Sequence, residues 1–201
     1  DKIGTKKLVI GYDHKFGRNR SGSFEELNKD SHKYGFEVEE IPKQMIDSNA
    51  VSSTKIRRAL HEGKIETANN FLGRSYSMQG KVVEGDKIGR TLDFPTANIE
   101  IDFKHKLIPV EGIYAVTIIV RNERLKGMLN IGYRPTFGGT QKRIEVHIFD
   151  FEQEIYGEGI TIEFHKKIRS EIKFENIGAL KEQLQLDKIS AQQILKNIQS
   201  V

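Results

Sequence analysis

The sequence predicts an α/β segment followed by an antiparallel β-barrel or sandwich that closes in helix. Three observations carry this reading. Residues 1 to about 74 alternate strand and helix signals, the order of an α/β sheet. From Ser77 onward, short stretches of period-two alternation are separated by glycines and polar turns. The last stretch returns to helical spacing, with Leu180 and Leu184, Asp187 as a cap, then Ile194, Leu195 and Ile198.

Each element has a local reason. Lys7-Leu8-Val9-Ile10 is a short run ending in Gly11 and reads as a buried strand. Ser23 to Tyr34 places Phe24, Leu27 and Tyr34 at helical spacing and stops before Gly35. Phe36-Glu37-Val38-Glu39 alternates and reads as a second strand. Ser53 is the expected N-cap of a helix carrying Ile56, Ala59 and Leu60, closed by Gly63. Ile65 to Leu72 is a further helix, closed by Gly73. The expected later strands are Gln79–Glu84, Tyr114–Val120, Leu125–Ile131, Ile144–Ile148 and Ile160–Phe164. The junction lies near Gly73–Tyr76, giving domains 1–74 and 75–201.

Composition narrows the function classes. The chain has 201 residues, 37% of them hydrophobic, enough for a packed core. No run approaches about 18 apolar residues, so no transmembrane helix, leader or membrane partner is expected. The absence of cysteine excludes disulfides, thiolate zinc sites and cysteine nucleophiles, and a reducing cytoplasm is the expected compartment. Lys plus Arg is 32 against 28 Asp plus Glu, a net charge of +4. That excess is scattered, and Tyr114–Val120 and Ile144–Ile148 carry no Lys or Arg, which argues against a nucleic-acid surface. A phosphate-bearing nucleotide suits the same charge balance.

Four segments carry chemistry. In Gly80–Arg90, followed by Phe94-Pro95-Thr96-Ala97-Asn98, a strand leads to a loop containing Gly85 and Gly89 and then to a Pro-initiated turn. Glycine lets backbone N–H groups approach an anion, and Thr96 and Asn98 offer hard neutral oxygens that suit Mg²⁺. Read alone, a glycine hairpin explains the pattern better. In Ile144–Phe151, period two puts Ile144, Val146 and Ile148 on a core face and Glu145, His147 and Phe149 on the other. A carboxylate fixed on a strand is placed to accept a proton from a hydroxyl, but read alone an ordinary outward charged pair explains the pattern better. Ser52, Ser53 and Thr54 precede Lys55 and Arg57 at a helix start, a phosphate-shaped arrangement, but read alone a plain serine cap with a basic solvent face explains it better. Gly11–Gly22 is a strand-ending loop rich in glycine and basic residues, placed where open α/β sheets bind ligands.

In this order the segments resemble the bacterial bifunctional riboflavin kinase/FAD synthetase family over essentially the whole chain. The resemblance rests on Gly11–Gly22, Ser52–Arg57, Leu72-Gly73-Arg74 with Tyr76, Gly80…Gly85…Gly89-Arg90…Phe94-Pro95-Thr96-Ala97-Asn98, Asn130–Phe137, Glu145…His147…Asp150-Phe151, Tyr156-Gly157 and Arg169…Glu171…Lys173-Phe174. It implies the carboxyl half of a Rossmann-like nucleotidyltransferase, then a six-stranded Greek-key barrel with C-terminal helices. It implies phosphorylation of riboflavin to FMN with ATP as co-substrate and Mg²⁺ as cofactor. Glu145 then matches the catalytic base, Gly85, Gly89, Thr96 and Asn98 the Mg²⁺–ATP site, and Arg169, Tyr156 and Phe174 the flavin contacts. Ser52, Ser53, Thr54 and Arg57 match the adenylyltransferase motif that holds ATP phosphates. The family's two-histidine nucleotide motif has no counterpart, so this chain is expected to make FMN but not FAD, although its longer parent makes both. Asp93 stands where the family has glycine and is expected to be a tolerated turn residue. Oligomeric state is left open.

Overall fold

In a computed structural model of the chain, the described residues are 4–12, 14–42, 45–46, 49–85, 89, 92–101, 105–136, 139–196 and 198, with backbone alone for 45–46, 49–50, 134–136 and 139–141. They form two compact units, Asp1–Val51 and Ser52–Val201.

In the first unit, β1 (Lys7–Gly11) and β2 (Glu37–Ile41) pair in parallel, joined by α1 (Phe24–Tyr34). A parallel pair needs such a crossover. Ser23 starts α1, its backbone N–H donating to the Glu26 carboxylate at 3.2 Å, and Gly35 ends it at φ 70°. A short antiparallel pair, β3 (Met45–Ile46) and β4 (Asn49–Ala50), follows. β1 is not the buried strand its composition suggests. Ile10 is buried, but Val9 is 50% exposed, and Lys7 pairs with Glu39 across the two strands. Alternation decides this: one face of the pair is turned to solvent.

The second unit opens with α2 (Ser53–His61) and α3 (Ile65–Leu72). The cap of α2 is Ser52, one residue earlier than expected, its hydroxyl accepting from Lys55 N–H at 3.3 Å. Gly63 at φ 72° and Gly73 at φ 66° adopt the left-handed conformation that lets each helix stop. Ala59, Leu60, Ile65 and Ala68 are buried in the core of the barrel that follows. The spatial division therefore precedes the textural junction near residue 74. Asn69 ties α3 to the barrel, donating to Phe164 O at 2.8 Å and accepting from Tyr76 N–H at 2.7 Å.

Six antiparallel strands close the barrel: β5 (Tyr76–Val83), β6 (Ala97–Ile101), β7 (Gly112–Val120), β8 (Glu123–Thr136), β9 (Gly139–Ile148) and β10 (Gly159–Arg169). Their order around the barrel is β10-β5-β6-β9-β8-β7. The β7–β8–β9 meander returns beside β6, which is a Greek key. Closure removes exposed sheet edges. Alternate residues fill the interior, among them Met78, Tyr114, Val116, Leu129, Val146 and Phe164, all essentially inaccessible. Tyr114 and Phe164 meet edge to face at 5.4 Å, a geometry worth about 0.5–1.5 kcal/mol beyond area burial.

Two features depart from the sequence reading. β6 is a strand where a Pro-initiated turn was expected; Pro95 ends the turn and pairing with β5 and β9 begins at Ala97. The C-terminal region is one helix, α4 (Ile177–Lys196), not two. Asp187 lies inside it and is buried, so it is not a cap. The capping side chain is Asn176, whose Oδ1 accepts from Ala179 N–H at 2.9 Å.

Candidate active site

The outer face of β9 is the start of the site. Ile144, Val146 and Ile148 enter the barrel, as the alternation predicts. His147 and Phe149 are buried there and Glu145 is half-buried, so this face is not turned to open solvent. A second apolar cluster covers that face, joining Phe94, Met128 and Phe149 to Ala191 and Leu195 of α4.

Register aligns three polar side chains. Asn98 of β6 is opposite Glu145 of β9, and Glu145 is opposite Asn130 of β8. Directly opposed residues share a face, with Cβ atoms about 4.5–5.5 Å apart. The result is an amide–carboxylate–amide row across three strands. Arg143, two residues before Glu145, shares this face. Its Nε donates to Asn98 Oδ1 at 2.8 Å and lies 3.2 Å from Glu145 Oε1. Glu145 is thus a part-buried carboxylate facing a guanidinium. Nothing in the local sequence marks Arg143, and Asn130 stands out only as the first residue of a resemblance motif; pairing is what brings both to Glu145.

Two glycines shape the neighbouring space. A Cβ at Gly85 would lie 2.0 Å from Asn98 Nδ2 and 2.8 Å from its Oδ1. A Cβ at Gly89 would lie 2.2 Å from Phe94 O and 3.3 Å from Thr96 Oγ1. Only glycine permits the backbone to approach Asn98 at Gly85 and the Phe94 carbonyl at Gly89 this closely, and Gly89 is also near Thr96 Oγ1, so the two glycines form a cradle around both expected cation ligands. The rest of this loop (Asp86–Ile88, Arg90 and Thr91) lies outside the described residues. Among the described residues there is no group of three or more His, Cys, Asp or Glu that could hold a metal. A cation held here would depend on neutral oxygens, with water and phosphate completing its shell.

Two cavities meet at Thr96. One, of about 590 Å³, is lined by Asp93, Thr96, Phe151, Glu154 and Tyr156 among others. The second, of about 280 Å³, lies under α4 between Phe94, Phe174, Leu180 and Leu184, and it contains Glu145, Asn130 and His147. His147 Nδ1 is 2.8 Å from the Pro95 carbonyl oxygen. A carbonyl only accepts, so Nδ1 carries the proton. Burial holds the His147 pKa below its ordinary value, which favours the neutral ring. Nε2 is then a bare acceptor. Neither it nor Asn130 Oδ1 has a hydrogen-bond partner among the described residues.

The remaining expected residues fall in several places. Arg169 and Phe174 line the cavity with Glu145, the guanidinium 5.8 Å from the ring centroid. Arg169 ends β10, and its guanidinium is bound by Asp187. Tyr156 sits in the larger cleft, so the structure does not group it with Arg169 and Phe174. Asp93 occupies a turn at φ 63°, a conformation natural to glycine and tolerated by Asp, and it pairs with Lys181 of α4. Ser52, Ser53, Thr54 and Arg57 stand at the start of α2, where Arg57 donates to Ser53 Oγ at 3.3 Å. In the Gly11–Gly22 loop, Gly17 takes φ 76°, and Asp13 lies outside the described residues.

Comparison with known proteins gives a consistent result. The riboflavin kinase family model matches residues 72–195, and the FAD synthetase family model matches residues 1–55. A bifunctional riboflavin kinase/FMN adenylyltransferase from Haemophilus influenzae is 43% identical over 187 residues, 92% of this chain and 60% of that protein. The Bacillus subtilis protein of the same name is 40% identical over 201 residues, 98% of this chain and 62% of that protein. This chain thus spans about three fifths of these relatives. A crystal structure described as a macrolide-efflux protein from Streptococcus pneumoniae superposes with a TM-score of 0.81 at 32% identity, covering 94% of this chain and 60% of that one. No helix among the described residues is long and apolar enough to cross a membrane.

Proposed function

The chain belongs to the riboflavin kinase family, and from that premise we propose that it transfers the γ-phosphoryl group of ATP to the terminal ribityl hydroxyl of riboflavin. The observation that carries this reading is the Asn98–Glu145–Asn130 row, set beside two cavities that share Thr96. The cavity under α4 suits a flat aromatic ring, with Phe174 and Arg169 in its wall. The larger cleft suits a nucleotide, and Tyr156 belongs with it.

Glu145 is the general base. It takes the hydroxyl proton as the oxygen forms its bond to the γ-phosphorus, while the bond to the β-phosphate oxygen breaks and ADP leaves. Such a transfer depends on alignment and charge neutralisation more than on covalent help. A strand holds the carboxylate more rigidly than a loop would. Thr96 and Asn98 would hold Mg²⁺, which supplies charge neutralisation at the phosphates. Gly85 and Gly89 allow the backbone to approach those phosphates.

The segment 1–74 is read as the carboxyl part of an FMN adenylyltransferase domain of Rossmann-like type, with 75–201 as the kinase domain. The parallel β1–α1–β2 connection supports this. Ser52, Ser53, Thr54 and Arg57 are its phosphate-binding remnant. FMN, without FAD, is the expected product of this chain, and cytoplasm is its proposed compartment. Riboflavin, FMN, ATP and ADP are its partners.

The test is incubation with riboflavin, ATP and Mg²⁺, followed by chromatographic resolution of riboflavin, FMN and FAD. FMN alone is expected. A folded chain that leaves riboflavin unchanged would overturn the kinase reading. Appearance of FAD would overturn the reading of the first segment.

A further inference from the structure

We infer that Asn130 Oδ1 and His147 Nε2 form an acceptor pair that takes the inner hydroxyls of a polyol chain, and so selects which alcohols reach Glu145. This rests on the kinase reading above and names what in the site recognises its substrate.

Both atoms are buried, and both lack a partner among the described residues. A buried acceptor without a donor is costly, so a group that supplies donors is favoured there. The Pro95 carbonyl fixes Nδ1 as the protonated nitrogen of His147, which leaves Nε2 able only to accept. Phe94 and Phe149 flank the imidazole edge-on at 5.2 and 5.7 Å, and they donate no conventional hydrogen bond. The missing donors therefore come from the cavity.

The cavity selects their chemistry. Arg143 and Arg169 line it together with Glu145 and Glu171, and both guanidiniums already face carboxylates, so the lining is charge-balanced and suits neutral donors. A polyol offers neutral O–H donors on successive carbons. Asn130 lies opposite Glu145 in register, and His147 follows Glu145 by two residues on the same face. Two residues of strand span about 7 Å. A polyol lying along β9 thus meets His147 first and then, two residues along, Asn130 and Glu145 side by side, where its terminal hydroxyl is presented to Glu145. Asn130 and His147 are specificity and positioning residues; Glu145 remains the catalytic one.

The experiment compares riboflavin with lumiflavin, which carries the same ring with a methyl group in place of the polyol. Binding is read from flavin fluorescence for the unaltered chain, Asn130→Leu and His147→Phe. The unaltered chain is expected to prefer riboflavin by roughly tenfold or more, the net effect of two hydrogen bonds. Each variant should keep its affinity for lumiflavin and lose most of that preference. Retained lumiflavin binding also reports that the cavity is folded. The unaltered-chain comparison needs no substitution, and equal affinity for the two flavins there would overturn the pair. So would a preference that survives in both variants. If the folded, unaltered chain bound neither flavin, the kinase reading itself would fall, and the pair with it.

Discussion

Arg169 and Asp187 form a two-pronged ion pair between the end of β10 and the middle of α4. Nε lies 2.8 Å from Oδ1, and Nη2 lies 2.6 Å from Oδ2. Asp187 is 1% exposed, and Gln183 donates to it as well at 2.9 Å. The pair pins α4 over the cavity that contains Glu145.

Removing one member leaves the other charge without its partner. Asp187→Ala is expected to lower unfolding free energy by about 3–5 kcal/mol, the usual cost of breaking a buried pair. Urea unfolding checks this. A loss under about 1 kcal/mol would show that the pair contributes no more than an exposed one. Flavin affinity should fall together with stability, because the same helix roofs the cavity.

Glu145→Gln keeps the shape of the site and removes the proton acceptor. Turnover is expected to drop by about 10²–10⁴-fold, the range for a positioned base. Binding of ATP and riboflavin should stay within a few-fold, since Gln keeps the side-chain shape and one hydrogen-bond acceptor. Single-turnover kinetics with separate binding measurements distinguish the two effects. An unchanged rate would remove Glu145 as the base.

Gly85→Ala tests the cradle directly. The new Cβ would collide with the Asn98 amide at 2.0 Å and push its oxygen away. Misplacing a substrate-positioning group by about 1 Å costs roughly 10²-fold in rate. The loss should be shared by Asn98→Ala, and the two changes should not add. Gly159→Ala serves as the control, because nothing lies within 4 Å of its Cβ. Equal losses for Gly85→Ala and Gly159→Ala would refute the argument.

Acid should destabilise the barrel unit through its histidines. His165 is buried, with Nε2 2.8 Å from Thr117 Oγ1, and burial holds its pKa below the ordinary 6.5. His147 is shifted the same way by burial. The folded state therefore favours the neutral rings, while the unfolded chain takes up protons at the ordinary value. Stability is full above about pH 6.5 and falls as pH drops below it, until the folded rings also protonate. Melting temperatures between pH 7.5 and 5.5 should decline, and His165→Asn should flatten the slope. A variant with the slope of the unaltered chain would exclude His165 as a source.

The resemblance-bearing residues show how far sequence alone reached. Alternation marked five of the barrel strands, because period two is a local property of the chain. Gly35, Gly63 and Gly73 marked helix ends, because each takes a left-handed φ near 70°. The motif residues Thr96, Asn98 and Glu145 were legible as residue types in order. β6 escaped, because a five-residue strand beginning after Phe-Pro-Thr carries turn chemistry at its start. Asp187 read as a cap, because its partner Arg169 lies 18 residues away and no local pattern reports it.

The sequence by itself determined the local elements, the absence of thiol chemistry, and the family to which the motifs belong. Tertiary structure decided which of those residues work together. Strand register set Asn98, Glu145 and Asn130 in one row, and the packing of α4 turned an outer sheet face into a cavity. The same packing left Asn130 Oδ1 and His147 Nε2 buried without a hydrogen-bond partner among the described residues. The reason is physical: periodicity and turn chemistry act between neighbours in the chain, whereas pairing and burial act between residues that are distant in sequence and meet only when the barrel closes.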